Sequence, residues 1–130
     1  MKEIKAREKI YLEDYDIYVT PYLSYEQIEK IIYNMHTQQN YTDRLKIRDL
    51  MVLAYCTDIG NEKIDEIGHE ALYNSGLVDS VLSLVENEYL VTAGLRWGES
   101  IEHAISEISK KMPDFLDKYK KVIDFANSKK

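Results

Sequence analysis

A chain of 130 residues, 45% apolar and 31% charged, is long enough to build one core without disulfide or metal staples. Its lone Cys56 excludes an internal disulfide and suits a reducing cytoplasm, although a disulfide-free exported protein would look the same. The net charge of −6 is uneven, since residues 11–109 hold eighteen acidic and six basic groups while residues 1–10 and 110–130 are both net basic; such a body repels duplex DNA, and charges interrupt every apolar run that could serve as a signal peptide or membrane span.

Residues 2–20 are the one convincing β region. The runs 9–12 and 15–19 flank Glu13-Asp14, which predicts a hairpin. Two-residue hairpin turns favour Asn-Gly or Asp-Gly, so Glu-Asp leaves room for a longer loop. A lone hairpin is marginal in water and must pack on helices or on another chain. Tyr11, Tyr15, Tyr18, Tyr22 and Tyr25 follow at steps of four, three, four and three, which imitates a helical face. Pro21 and the run Ile17-Tyr18-Val19-Thr20 oppose helix, so the rings are expected on extended chain, alternating between two faces.

Ser24-Tyr25-Glu26-Gln27 reads as a capping box, with the serine hydroxyl meeting an orphan N–H and the glutamine reaching back. Ile28, Ile31, Ile32 and Met35 carry this first helix to about His36. Thr42 or Asp43 is expected to open a second helix, apolar on more than one face toward its end and hence central to the core; Asp58-Ile59-Gly60-Asn61 closes it. Residues 62–68 and 70–75 look like short helical turns, each stopped by a glycine where a left-handed cap belongs. Leu77, Val78, Val81, Leu82 and Val85 mark a third substantial helix.

Residues 88–112 follow with apolar residues at helical intervals, although Gly94 and Gly98 each weaken a helix by about 1 kcal/mol relative to alanine; a break near Gly98 is the alternative. Met112-Pro113-Asp114 is expected to stop one helix and start another. The last helix carries Phe115, Leu116, Tyr119, Val122, Ile123 and Phe125 or Ala126, then frays through residues 127–130. The fold class is therefore mainly α: a compact multi-helix bundle over 1–130 as a single domain, with a short N-terminal β-hairpin or arm at 1–23 and helices over 24–127.

Catalytic and metal constellations are missing from this pattern. Glu66-Ile67-Gly68-His69 has the Glu-x-x-His spacing of di-iron bundles, which need that motif twice, and Glu99-Ser100-Ile101-Glu102-His103 does not repeat it. Cys56 has no basic neighbour at helical spacing to activate it and reads as a small buried hydrophobe. No glycine-rich loop cradles phosphate, and the lysine-rich ends read as solvated frays. No enzyme, cofactor or metal is expected. Trp97 beside Arg96 reads either as a core anchor or as an interface hot spot. The tyrosine cluster likewise either covers the hairpin's own helix-facing side or offers contact surface to a partner. The candidate partner-binding residues are Tyr11, Tyr15, Tyr18, Tyr22, Tyr25, Arg96 and Trp97.

The string Ile4-Lys5-Ala6-Arg7-Glu8-Lys9-Ile10, continuing through Tyr11-Leu12-Glu13-Asp14-Tyr15 to Gln27-Ile28, and the later Ser75-Gly76-Leu77-Val78-Asp79-Ser80-Val81, resemble small proteins of tailed phages that infect low-GC Gram-positive bacteria. The layout, a short β start followed by acidic helices, is similar to phage tail assembly chaperones. That resemblance implies a non-enzymatic assembly or virion accessory protein in the host cytoplasm. Such proteins coat the tape-measure protein and recruit tube subunits. The implied partners are a phage tail or head component, a host protein or a second copy of the chain. It transfers no catalytic residue. The alternative class is a small acidic phage-encoded inhibitor or trigger of a bacterial defence system, acting by occlusion.

Overall fold

The computed structural model describes residues 1–128, with the side chains of 114–116 and 128 outside that description. Residues 1–9 have no regular secondary structure. They are followed by strands β1 (Ile10–Leu12) and β2 (Ile17–Val19), then helices α1 (Tyr25–His36), α2 (Tyr41–Cys56), α3 (Asn61–Ile67), α4 (His69–Asn74), α5 (Leu77–Leu84) and α6 (Tyr89–Ser128). With 71% of residues helical and one two-stranded sheet, the class is mainly α with an N-terminal hairpin, as the sequence predicts. Contacts divide the chain into two units, Met1–Leu95 and Arg96–Lys130.

The hairpin is antiparallel, with Ile10 opposite Val19, Tyr11 opposite Tyr18 and Leu12 opposite Ile17. Its loop is longer than two residues, as the poor turn chemistry suggests: Glu13–Tyr15 make a 3-10 turn and Asp16 takes a left-handed conformation at φ 50°. The helix-facing side buries Ile17 and Val19. Backbone and side-chain bonds then fasten it to its own unit. Val19 bridges to Thr57, and the Thr20 N–H donates to the Cys56 carbonyl at 2.7 Å. The Tyr18 N–H donates to Asp58 Oδ1 at 3.0 Å. Asn87 closes a two-way clamp on Leu23, accepting from its N–H and donating to its carbonyl, each at 2.8 Å.

Both bonds of the capping box at Ser24 are present: Gln27 N–H donates to Ser24 Oγ, and Ser24 N–H donates to Gln27 Oε1. The second helix starts earlier than Thr42 or Asp43. Asn40 is its cap, because its Oδ1 accepts from the Asp43 N–H at 2.9 Å, which lets Tyr41 enter the first turn. α2 is central, packing against α1, α3, α4 and α5. Gly68 does not adopt the expected left-handed cap; at φ 85° and ψ 152° it is extended with positive φ and joins α3 to α4, whereas Gly76 is left-handed.

The two helices expected on either side of Pro113 are one. α6 runs unbroken through Gly98 and Pro113. A proline removes one backbone hydrogen bond and costs about 3 kcal/mol, and good helix formers on both sides, Lys110, Lys111 and Met112 before it and Lys118, Lys120 and Lys121 after it, favour the helical conformation. Asn127 and Ser128, expected to fray, are helical; Lys129 and Lys130 lie outside the described residues. So do the side chains of Phe115 and Leu116. Among the described residues the buried core stops at Leu95. It comprises β2, α1 to α5 and the first turns of α6, with Ile31, Met35, Val52, Leu53, Val81 and Val91 almost fully enclosed.

Candidate functional site

The hairpin's outward face is the most distinctive surface of the first unit. Because Tyr11 and Tyr18 are directly opposite across the strands, their side chains emerge together. The ring centroids are 5.1 Å apart at 44°, and the residues are 46% and 50% exposed. The Tyr11 hydroxyl donates to Asp16 Oδ1 at 2.6 Å. That hydrogen bond holds the Tyr11 phenol above its ordinary pKa, with smaller contributions from partial desolvation and the nearby carboxylate charge. Asp16 and Asp58, which hold Tyr11 and the Tyr18 backbone, also line an adjoining groove of about 510 Å³ with Tyr15, Ile59, Lys63 and Ile67. The face thus combines a fixed aromatic pair with an apolar groove carrying charged groups at its wall.

The other tyrosines do not join this pair. Only Tyr11 and Tyr18 sit on strands, so the expectation that all five alternate along extended chain fails. A 3-10 turn intervenes at Tyr15, and α1 begins at Tyr25. Tyr15 is a tether: its hydroxyl donates to the Ser75 carbonyl at 2.8 Å. Gly76 makes room for that contact, since a Cβ there would stand 3.3 Å from the hydroxyl on a backbone at φ +84°. Tyr22 and Tyr25 line a separate groove of about 620 Å³ with Lys5, Arg7 and Tyr89, and Arg7 pairs with Glu86. Arg96 and Trp97 belong to the second unit. Trp97 is 70% exposed, which removes its reading as a core anchor.

One buried polar group escaped the sequence reading. Asp49 is enclosed in α2, with Oδ1 accepting from Arg48 Nη2 at 2.9 Å and Oδ2 2.9 Å from His69 Nε2. Arg48 also lies 3.6 Å from Glu88, and the Tyr73 ring stacks on His69 with centroids 5.9 Å apart. The signal available was an acidic residue heading the apolar run Leu50-Met51-Val52-Leu53. His69 thus commits its Nε2 to Asp49. Among the described residues no group of three His, Cys, Asp or Glu side chains could hold a metal ion. The pair borders a cavity of about 300 Å³ with Thr42, Lys46 and Tyr73, but no hydroxyl or thiol is hydrogen-bonded to the ring among the described residues. Cys56 is buried, and burial pushes its thiol up from 9.0 to about 11. Its Sγ–H points to the Tyr22 carbonyl at 3.8 Å, which suits a core residue rather than a nucleophile.

No family model, curated protein or solved structure matches this chain. No helix among the described residues is long and apolar enough to cross a membrane.

Proposed function

We propose that this protein acts by binding another protein, without catalysing a reaction, as an accessory factor of tailed-phage assembly like a tail assembly chaperone. The observation that carries the binding part is the Tyr11–Tyr18 pair, two half-exposed rings on a ribbon anchored from behind by Val19, Thr20 and Asp58. Rings already held in one arrangement lose little further freedom on docking, and tyrosine is enriched among residues that dominate binding energy. The phage role rests on the resemblance of residues 4–28 and 75–81.

The test is co-purification with tape-measure segments and tube subunits. Tyr11→Ser with Tyr18→Ser should weaken capture by about tenfold or more, the loss of one hot spot, while helical circular dichroism stays unchanged. Capture that survives the double substitution would exclude this face. The acidic-occlusion reading is favoured by a separate observation, Asp16 and Asp58 at the groove beside the pair. Ionic strength separates the two: an electrostatic plug loses affinity steeply as salt rises, whereas a tyrosine-anchored contact changes little.

A further inference from the structure

The groove beside the Tyr11–Tyr18 pair is apolar inside and acidic where it adjoins the rings. Ile17, Leu72 and Leu77, all buried, line it together with the more exposed Ile59 and Ile67. Asp16 and Asp58 line it too, and each uses one oxygen on the hairpin: Asp16 Oδ1 accepts from the Tyr11 hydroxyl, and Asp58 Oδ1 accepts from the Tyr18 N–H. Among the described residues neither Oδ2 has a hydrogen-bond partner, and Lys63, the cation that lines the groove, pairs with neither carboxylate. The two acidic segments that border the groove, residues 13–16 and 58–67, hold seven carboxylates and that one lysine.

These groups select the charge of an occupant. An anion or a nucleic acid would be repelled, and a wholly apolar segment would cover two carboxylates without compensating them. A guanidinium meets both demands, because it is planar, stacks on tyrosine and can donate to two carboxylates at once. We propose that the groove binds an extended segment of a partner protein in which an arginine neighbours apolar side chains, an assignment that rests on the binding role of the tyrosine pair and adds the chemistry of what is bound. The guanidinium lies against the Tyr11 and Tyr18 rings and donates to Asp16 and Asp58. The neighbouring apolar side chains fill the hollow over Leu72 and Leu77. With a single cation engaged, affinity falls only gently as salt rises.

The test pans a random linear-peptide display library on the immobilised full chain. Sequences with arginine beside Leu, Ile, Val or Phe should be enriched; enrichment of lysine in its place, of acidic or wholly uncharged sequences, or of none, overturns the proposal. In a synthetic peptide of the selected sequence, arginine replaced by alanine should weaken binding to the parent chain by about tenfold or more. Asp16→Asn with Asp58→Asn should weaken it by a similar factor, because asparagine keeps an Oδ1 for the Tyr11 hydroxyl and the Tyr18 N–H and removes only the charge. Undiminished binding in either experiment overturns the proposal. Its failure is distinct from that of the binding reading: if Tyr11→Ser with Tyr18→Ser loses the peptide and the asparagine pair does not, the face binds a different chemistry, and if neither loses it, the face is not the binding surface. If the asparagine variant loses its helical circular dichroism, the alanine peptide against the parent chain decides alone.

Discussion

Cys56 and Asp49 lie on the same helix and are both buried. The thiol stays neutral, because nothing near it compensates a thiolate, and burial raises its pKa to about 11. The folded state therefore keeps a proton that the unfolded chain releases from about pH 9 upward. Stability from this group is full below the unfolded value and declines as pH climbs from about 9 to about 11, and urea midpoints measured across that range should fall. Below pH 8 the native thiol should resist Ellman's reagent until denaturant is added. Asp49 instead remains hydrogen-bonded through both carboxylate oxygens, to Arg48 and His69. Asp49→Ala leaves two polar partners behind in a half-buried place and should cost about 3 kcal/mol in urea denaturation. His69→Ala removes one contact and should cost less.

Elements were legible where the deciding chemistry is local. The capping box at Ser24 involves residues three apart, and both of its bonds form. The hairpin was readable from β-branched and aromatic runs, and a loop longer than two residues from its turn chemistry, although the turn's conformation was not, because Asp16 supplies the positive φ that a glycine usually would. Pro113 misled for a related reason. Its local preference is to end a helix, yet the cost is one bond in a helix of forty residues. Gly94 looked like a weakness and is a packing device. A Cβ at that position would come within 2.3 Å of Ile32 Cδ1, so α6 approaches α1 closely only because the side chain is missing. Gly94→Leu should destabilise by about 1–3 kcal/mol through overpacking, despite leucine's better helix propensity. A calorimetric or urea curve for this variant that matches the parent would show that Ile32 yields without loss.

At the scale of the molecule, composition spoke to class and was silent on arrangement. Mainly helical architecture with one hairpin follows from periodicity and turn residues. Which tyrosines face outward does not, because that depends on the register of Tyr11 with Tyr18 and on Tyr15 reaching Ser75, sixty positions later. Asp49 meeting His69 is equally a product of tertiary contact between α2 and α4. The end of burial at Leu95 bears on cooperativity. Helix beyond that residue has no enclosed apolar side chain among the described residues, and helices so placed hold together only marginally or by association. Heating should accordingly produce a gradual loss of helix signal from the far part of α6 ahead of one cooperative transition, and a single Tm would then describe residues 1–95 and not the whole chain.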